Sequence, residues 1–467
     1  MYKKLFFVIT GLLVAGMILV LLLDNPKDRT PNPTQPLQLS TLAPTRTMGV
    51  TKEPPLVSST ATPDQPQPLP LLPLPPADEA AERLIVPDGF AIRIFAANVR
   101  GTPRFMTVGL DGEIYVSLYA SGEIARLPDR NEDGLADGVE IVASGMNRPH
   151  GIEWHEDWLY VAEAGRVSRL RDEDGDGLME IWEQVTDNIP GEGGHTSRTL
   201  HFGPDGLLYV SAGSSCNVCD EDDPRRAAIL RFNPDGSIPA DNPFAADPDP
   251  RRQAVWAWGL RNSVDFLWTP SGALWANHNG RDNLLDAQGT YDSLPPEEII
   301  IPVQGGMSHG WPYCYTAVNG INAGMQAEVL DEQSGLPLPD GFDCSAENVA
   351  PALFTDLAHS APLGMALATE QLAFPADYHE NLYVAYHGSW NTSNSGTRDC
   401  KVERILLDGE KPVGSEVFVT GWRAEGQTCG SAQTWGRPAD VIVGADGALY
   451  ISDDKGGRVY RVVYRGD

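Results

Sequence analysis

The sequence has little positive charge. It contains 34 lysine and arginine residues against 64 aspartates and glutamates in 467 residues, which gives a formal net charge of −30. Proteins that bind nucleic acids need an electropositive face for the phosphates, so this composition argues against a nucleic-acid partner. Acidity of this kind is typical of a soluble, well-solvated surface.

The six cysteines are too few and wrongly spaced for two common cofactor sites. Cys216 and Cys219 form a Cys-x-x-Cys pair, but Asp220 follows it where c-type haem attachment needs a histidine. No second pair is spaced for a zinc site. In an oxidising compartment disulfides are the default. Six cysteines allow fifteen pairings, and their order in the sequence suggests Cys216–Cys219, Cys314–Cys344 and Cys400–Cys429.

Residues 1–86 lack the pattern of a folded domain. Two lysines precede an uncharged apolar run, Leu5 to Leu23, and no small-x-small cleavage site follows it. We therefore expect residues 1–23 to be an uncleaved signal-anchor that holds an exported body on the extracytoplasmic side of a membrane, in the periplasm or at the cell surface. The alternative is a cleaved signal peptide and a secreted protein. Residues 24–86 are rich in proline and have no strand or helix periodicity, which predicts a disordered, semi-rigid linker.

From residue 87 onward the chain repeats one pattern of short strands. Between Gly193 and Gly213, ionisable residues precede an apolar strand, a Pro-Asp-Gly turn and the strand Leu-Tyr-Val-Ser. A period of about 45 to 70 residues predicts an all-β, six-bladed β-propeller over residues 87–467. The strand that starts at Gly89 is expected to complete the last blade, which runs out of chain after three strands. The other copies are Pro103 to Ser117, Arg148 to Ala162, Leu260 to Ala276, Ala361 to Ala385 and Arg437 to Ser452.

Two acidic loops connect the third and fourth strands of the first two predicted blades. Each has carboxylate or amide oxygens at positions 1, 3, 5, 9 and 12 and glycine at position 6, the spacing by which one chain wraps Ca²⁺. They are predicted to be structural calcium loops on the far face of the propeller, and Asp-Gly turns on an acidic surface are the alternative. The candidate ligands are Asp129, Asn131, Asp133, Asp137 and Glu140 in the first loop and Asp172, Asp174, Asp176, Glu180 and Glu183 in the second.

A second group of residues is predicted on the near face, around the mouth of the central channel. The starts of the innermost strands and the loops between second and third strands share this face because strand direction alternates within a blade. Basic residues concentrated there favour a small polyanionic ligand, although any one arginine could instead pair between blades. Histidine is also the ready general base at neutral pH. The residues are Arg104, His150, His195, Arg198, Arg261, Asn262 and Arg437 at strand starts, and 277–282, 387–390 and 453–455 in loops.

Several segments together resemble a known family, the sugar dehydrogenases that use pyrroloquinoline quinone (PQQ) and Ca²⁺. This group of quinoprotein propellers includes the soluble glucose, aldose-sugar and sorbosone dehydrogenases. The likeness spans residues 85–465. The matching segments are, in order, Gly194-His195-Thr196-Ser197-Arg198, Trp258-Gly259-Leu260-Arg261-Asn262, His278-Asn279-Gly280-Arg281-Asp282, His309-Gly310-Trp311-Pro312 and Arg437-Pro438-Ala439-Asp440-Val441.

The resemblance implies oxidation of a small sugar or a related aldehyde by hydride transfer to PQQ. It implies that His195 is the general base and that Arg261 stabilises the oxyanion of the reduced quinone. Backbone carbonyls near Gly280 and Arg281 are implied as ligands of the Ca²⁺ that polarises the quinone. The residues expected to contact the cofactor are Arg104, His150, Arg198, Asn262, His387, Trp390, Arg437 and Lys455.

Two departures from the family pattern leave the substrate open. Family members place a lysine against the cofactor near the position of 387–390, so either His387 replaces that cation or Trp390 stacks on the ring. Residues 313–358 form an insertion, expected between blades four and five and over the mouth, that is more like the sorbosone-type branch. The electron acceptor stays open as well. A non-catalytic cell-surface propeller that binds glycans or partners, and a calcium-dependent lactonase, are the alternative functions.

Overall fold

The computed structural model describes residues 69, 71–389, 391–392, 398–424, 426–430 and 432–466. Within it, Pro66–Asp467 is one compact unit. The predicted signal-anchor, residues 1–23, and the predicted linker up to residue 68 lie outside the described residues. Among the helices of the described part, none is long and apolar enough to span a membrane.

Six antiparallel sheets form the six predicted blades, and their innermost strands contact one another around the channel. β1 (Phe90–Ala96) precedes the first complete blade. That blade contains β2 (Pro103–Val108), β3 (Ile114–Leu118), β4 (Glu123–Leu127) and β5 (Glu140–Ser144). Blade two contains β6 (Ile152–His155), β7 (Trp158–Glu163), β8 (Arg166–Arg171) and β9 (Ile181–Thr186). Blade three contains β10 (Leu200–Phe202), β11 (Leu208–Ala212), β12 (Ala228–Phe232) and β13 (Val255–Trp258).

Blades four to six follow the same order, and blade four has an extra strand. Blade four contains β14 (Phe266–Trp268), β15 (Leu274–His278), β16 (Glu297–Val303), β18 (Gly320–Ile321) and β20 (Phe354–Asp356), and a small separate sheet pairs β17 (Cys314–Tyr315) with β19 (Val329–Leu330). Blade five contains β21 (Pro362–Leu367), β22 (Leu382–Tyr386), β23 (Lys401–Asp408) and β24 (Lys411–Val419). Blade six contains β25 (Pro438–Val443), β26 (Leu449–Asp453) and β27 (Arg458–Tyr464). The described helical segments are α1 (Glu79–Arg83) and two 3₁₀ turns, Arg252–Ala254 and Ala376–Tyr378.

The N-terminal strand closes the ring, which confirms the prediction. β1 pairs antiparallel with β27, from Phe90 opposite Tyr464 to Ala96 opposite Val459. Closure covers the sheet edge that a three-stranded last blade would leave. The core lies between the blades, and second strands such as β3, β11 and β26 are buried at every position because neighbouring blades cover both of their faces.

A recurring trio of side chains explains why the repeat contains an Asp-Gly turn followed by a tyrosine. In blade three the Tyr209 hydroxyl donates to Asp205 in the turn at 3.0 Å, and Arg231 on β12 pairs with the same carboxylate at 3.0 Å. These contacts fix the turn to the second and third strands at once. Blades one and six repeat the trio as Tyr115–Asp111–Arg126 and Tyr450–Asp446–Arg461.

The last part of the predicted linker, residues 71–86, packs on the propeller and is not a free spacer. Arg461 Nη1 donates to the Pro73 carbonyl at 2.7 Å, and the Asp78 carboxylate accepts from the Ile94 amide at 2.7 Å. The proline-rich composition gave no sign of this. An extended polyproline segment leaves its carbonyls unpaired, so arginines of a folded domain can bind them.

The insertion at 313–358 lies inside blade four, so its predicted place between blades four and five is wrong. The chain forms β17, β18 and β19 before β20, which pairs with β16 and completes the blade. A parallel bridge between Trp258 and Ser308 shows that the approach to the insertion runs beside β13. β20 is only three residues long, which is too short to give a strand signal in the sequence.

All three disulfides suggested by the order of the cysteines are present. Cys216–Cys219 closes the loop between β11 and β12 on the near face. Cys314–Cys344 ties the start of the insertion to its later part, and Cys400–Cys429 ties the residue before β23 to the loop before β25.

Candidate active site at the mouth of the propeller

The near face gathers the predicted mouth residues into two groups that lie across the channel from each other. We call His195, Ser214, Arg261 and Asp282, from blades three and four, the base side. We call Arg104, His387, Arg437 and Asp454, from blades one, five and six, the anion side. Blades three and six face each other across a six-bladed ring, so a ligand at the mouth would lie between the two groups.

His195 is held in one tautomer by the backbone that follows β11. Its Nδ1 lies 3.1 Å from the Ser214 carbonyl oxygen and 2.9 Å from the Ser214 hydroxyl. A carbonyl can only accept, so we assign the hydrogen to Nδ1. The Ser214 hydroxyl donates to the Cys216 carbonyl at 2.7 Å and is therefore free to accept as well. The lone pair of the neutral ring is then on Nε2, which has no hydrogen-bond partner among the described residues.

The surroundings of His195 keep it neutral. Burial, and after it the nearby Arg261 cation, lower the pKa of His195 to about 4. Asp282 opposes this shift but does not cancel it. A neutral imidazole with an unshared Nε2 lone pair is the form that a general base needs.

Arg198, which was expected to contact a cofactor, braces the loop that carries His195. It is fully buried, and its guanidinium donates to the carbonyls of Pro190 at 2.6 Å, His195 at 2.9 Å and Ser197 at 2.6 Å. Burial lowers the pKa of Arg198 to about 10. Because these donors are committed to backbone carbonyls, Arg198 positions His195 and acts on a ligand only through it.

Arg261 uses its side-chain donors within the protein. Nε donates to the Asn217 carbonyl at 3.1 Å, and Nη1 donates to the carbonyls of Asn279 at 3.3 Å and Gly280 at 2.7 Å. Nη2 donates to the Asn217 side chain at 2.9 Å and to Asp282 at 3.0 Å. The predicted role at the quinone oxyanion would therefore require one of these N–H groups to turn toward the ligand.

The carbonyl group at Gly280 does not fit a catalytic Ca²⁺ in this arrangement. Gly280 O already accepts from Arg261, and a guanidinium at the carbonyl repels a second cation there. The Arg281 side chain pairs with Asp331 of the insertion at 2.7 Å. Beneath this loop Glu297 accepts from the Gly280 amide at 2.8 Å, and burial raises the pKa of Glu297 to about 8.

On the anion side several groups share the carboxylate of Asp454. Arg104 Nη2 lies 3.0 Å from one oxygen, and His387 Nε2 lies 2.9 Å from the other. Arg437 donates to the carbonyls of His387 at 2.7 Å and Gly388 at 3.1 Å. Burial by itself raises the pKa of Asp454, but His387 and Arg104 outweigh it and hold the pKa below its usual range. Arg104 and Arg437 thus lie together near Asp454, and Asp453 acts on Arg437 as well.

The other residues predicted to contact a cofactor differ in how deeply they are buried. His150 is fully buried, and burial lowers its pKa well below the usual value. In the described part of the chain, its Nε2 has no hydrogen-bond partner, and neither has the Nε of Arg104. Asn262 is partly buried and Lys455 is exposed. Trp390 lies outside the described residues.

The two acidic loops on the far face differ although their sequence patterns match. In the second loop, oxygens of four carboxylates lie within 4.8 Å of one another and could hold a metal ion: Asp172, Asp174, Asp176 and Glu180. Glu183 pairs instead with Arg169 at 2.6 Å. In the first loop Glu140 is bound by Arg126 and Arg130, both at 2.7 Å, and the acidic residues described there do not converge in the same way.

Sequence reasoning gave no role to three polar residues that hold the base side together. Asp282 accepts from the Asn391 side chain at 2.9 Å as well as from Arg261. Asn217 accepts from the Asp282 amide at 2.8 Å. Asp282 could have been found because it ends the segment that begins at His278. Asn217 and Asn391 carry no sequence signal, since only the fold brings their loops to the same place.

This closed six-bladed propeller is a distant homologue of the PQQ-dependent sugar dehydrogenases. The chain belongs to the TrAA12-like family, which matches residues 84–465. It is 25% identical over 402 residues to an uncharacterized protein of Borreliella burgdorferi, covering 83% of this chain and 93% of that protein. It is 24% identical over 355 residues to aldose sugar dehydrogenase YliI of Escherichia coli, covering 73% of this chain and 81% of the relative.

Two solved structures share the fold. The holo form of the PQQ domain of pyranose dehydrogenase from Coprinopsis cinerea superposes with a TM-score of 0.60 at 20% identity and covers 81% of this chain and 97% of that domain. The calcium structure of the Trichoderma reesei family AA12 protein superposes with a TM-score of 0.63 at 17% identity and covers 83% of this chain and 98% of that one.

Proposed function

We propose that this protein oxidises a sugar or a related aldehyde and uses PQQ as the hydride acceptor. The observation that carries the proposal is the unpaired Nε2 of a neutral His195, at a mouth whose other side holds Arg104 and Arg437. A relative of this chain is an aldose sugar dehydrogenase, and a structural neighbour is the holo form of a PQQ domain. Both facts support the same reaction class.

The anion side fits a cofactor that carries several carboxylates. Arg104 and Arg437 lie near the Asp454 carboxylate, and the Nε of Arg104 and the Nε2 of His150 lack hydrogen-bond partners among the described residues. We infer that Arg104, Arg437 and the exposed Lys455 would hold the carboxylates of PQQ. When bound, PQQ would take the hydride from the carbon that carries the substrate hydroxyl.

His195 supplies the proton transfer that this oxidation requires. Nε2 accepts the proton of the substrate hydroxyl, while Nδ1–H stays on the Ser214 carbonyl, so the ring keeps its orientation as it becomes positively charged. Arg198 holds the His195 carbonyl in place during this step. The low pKa of His195 means that the imidazolium returns its proton to water readily.

The structure supports a calcium role on the far face better than one at Gly280. We propose that the second acidic loop, residues 172–183, binds a structural Ca²⁺, because four of its carboxylates converge. Calcium should raise the melting temperature of the wild-type protein, and Asp176→Asn should remove most of the shift. The matched change in the first loop, Asp133→Asn, should leave it unchanged. Equal loss in both variants would contradict the assignment.

We also propose that the enzyme acts outside the cytoplasm and is held at a membrane by residues 1–23. The apolar run from Leu5 to Leu23 and three disulfides in the described body support this. Fractionation of cells that express the full chain should find it in membranes and sensitive to protease added from outside. Recovery in the cytosol would contradict the proposal.

The central test uses the full-length protein with added PQQ and Ca²⁺. Reduction of an artificial dye is followed with a panel of aldoses and aldehydes, and lactones are supplied in parallel. We expect PQQ-dependent dye reduction that is lost in His195→Ala. It should be kept in His379→Ala, whose histidine bonds to the Leu372 carbonyl in blade five. Absence of PQQ binding in absorbance titrations would favour a non-catalytic propeller, and lactone hydrolysis without PQQ would favour a lactonase.

A further inference from the structure

A cleft of about 560 Å³ lies beside the mouth, between blade three and the insertion of blade four. Four aromatic side chains line it, and they come from both sides: Trp258 at the end of β13, and Trp311, Tyr313 and Phe342 from the insertion and the segment that leads to it. The ring centroid of Phe342 lies 5.7 Å from that of Trp258 and 5.6 Å from that of Tyr313. The volume is within the range of about 300–1,000 Å³ that is usual for small-molecule sites.

The cleft and the base side share one wall, residues 214–221. Trp311 Nε1 donates to the Asn217 carbonyl at 3.1 Å, and the same carbonyl accepts from Arg261 Nε at 3.1 Å. Glu221, which lines the cleft, accepts from the Ser215 hydroxyl at 2.7 Å, next to the residue that holds His195. The Cys216–Cys219 disulfide stiffens this wall. A ligand that crosses the rim formed by 214–221 could therefore occupy the mouth and the cleft together.

Arg226 gives the cleft an unused hydrogen-bonding group. Among the arginines of the described chain that are not exposed, it alone has no side-chain hydrogen bond and no ion pair, and its Nη1 is buried without a partner. Nη1 lies 2.6 Å from the position that a Cβ on Gly193 would take, two residues before His195. The nearby carboxylates are already bound, Glu221 by Ser215 and Asp220 by the Tyr313 hydroxyl. The cleft thus offers donors to a ligand rich in oxygen atoms.

We infer that this cleft binds the further sugar units of an oligosaccharide whose terminal ring is oxidised at the mouth. Sugar rings present C–H faces that pack on aromatic side chains and hydroxyls that accept from arginine, and the lining supplies both kinds of partner. The inference rests on the proposed function for the terminal ring. It adds a second binding region, built by the blade-four insertion, that a single sugar does not reach.

The test compares substrate lengths in the PQQ-loaded full-length enzyme. The series is built on the aldose with the highest kcat/KM in the dye assay, from one to four units in two linkages. We expect kcat/KM to rise about tenfold along the series in one linkage, which corresponds to 1.4 kcal/mol. Arg226→Gln and Phe342→Ala should each remove most of the rise and leave the value for the single sugar unchanged. The exposed matched controls, Arg100→Gln and Leu338→Ala, should keep the rise.

A second measurement separates failure of the cleft from failure of the catalytic proposal. Calorimetry follows binding of the corresponding oligosaccharide alditols, which cannot be oxidised at the terminal aldehyde carbon, to the protein without PQQ. Alditol binding that disappears in Arg226→Gln and Phe342→Ala would support the cleft, even if no aldose is oxidised. The absence of oxidation would then contradict only the proposed function. Oxidation of single sugars with no effect of chain length and no alditol binding would overturn the cleft and leave the proposed function standing.

Discussion

The two sides of the mouth use the same residue types but bind their histidines differently. Each side has a histidine, at least one arginine and an aspartate, which lie at strand starts and in the loops between second and third strands. On the base side a backbone carbonyl accepts a hydrogen bond from Nδ1 of His195, and Nε2 has no partner among the described residues. On the anion side the Asp454 carboxylate forms a hydrogen bond with Nε2 of His387. Burial lowers the pKa of both histidines to about 4, so the two rings differ in the atom left for a ligand: Nε2 is open in His195 and is bound to Asp454 in His387.

The arginines follow the same division. Arg261 is matched by Asp282 and by carbonyls, so the base side is close to electrically neutral. On the anion side Arg104, Arg437 and Lys455 lie near two carboxylates, Asp453 and Asp454, so one positive charge is left over for a ligand. A polyanion is thus attracted to one side while the base on the other side stays neutral.

Replacement of each histidine by alanine is expected to give the largest difference between the two sides. His195→Ala should lower kcat by roughly 10³-fold at saturating PQQ, within the 10²–10⁴ range of general base catalysis. His387→Ala should instead raise the PQQ concentration needed for half-activation and leave kcat at saturation within about threefold. Steady-state dye reduction at several PQQ concentrations measures both values. A larger fall in kcat for His387→Ala would reverse the assignment of the two sides.

Asp454→Asn should reduce stability by breaking the anion side. Asp454 is nearly buried, and loss of one partner of a buried ion pair costs about 3 kcal/mol of unfolding free energy. The pKa of Asp454 is lowered on folding from 3.8, so the carboxylate stabilises the protein above that pH, and the contribution is lost as the pH falls below it. Urea unfolding at pH 7 should show the full difference from wild type, and a smaller one near pH 3.

The exposed Asp408→Asn is the control for Asp454→Asn, since this carboxylate has no partner in the described structure. It should change the unfolding free energy by less than about 0.5 kcal/mol at either pH. If Asp454→Asn behaved like Asp408→Asn, the charge cluster of the anion side would not exist in solution.

The pH dependence of the reaction should report the base side. Because the pKa of His195 is lowered to about 4, the ring is neutral above that pH, and kcat/KM should fall only as the pH drops through about 4. An NMR titration of the His195 ring in the protein without PQQ should give the same value. An acid limb near pH 6.5, the ordinary value for histidine, would mean that Arg261 and burial do not act on His195.

The sequence was sufficient for the parts of the fold that repeat. Asp-Gly turns followed by Leu-Tyr-Val-Ser recur because the Asp205–Tyr209–Arg231 contacts recur, and the ring closure by β1 follows from counting strands. It was not sufficient for features that occur once. The fourth strand of blade four is too short to be seen, and the docking of residues 71–86 depends on arginines elsewhere in the chain.

The sequence predicted which residue types gather at the mouth of the propeller, but it did not predict the hydrogen-bond partners of each residue. Arg198 and Arg261 were expected to face a ligand, yet their donors go to carbonyls that no side-chain pattern reveals. The two acidic loops make the same point. The last acidic residue pairs with an arginine in both loops, Glu140 with Arg126 and Glu183 with Arg169, yet among the described residues only the carboxylates of the second loop converge.

Ser214→Ala gives the smallest expected effect and isolates the part of the base side that a side chain contributes. The variant loses the hydroxyl that lies 2.9 Å from Nδ1 of His195 but keeps the carbonyl at 3.1 Å. One neutral hydrogen bond contributes about 0.5–1.5 kcal/mol, so kcat/KM should fall by roughly threefold to tenfold. Ser215→Ala, whose hydroxyl bonds to Glu221 on the cleft side of the wall, is the matched control and should not change kcat/KM for a single sugar. A loss as large as that of His195→Ala would mean that the hydroxyl, and not the main chain, fixes the tautomer. The small loss that we expect would mean that a backbone carbonyl fixes the tautomer of His195. Every residue carries such a carbonyl, so the sequence cannot indicate this role.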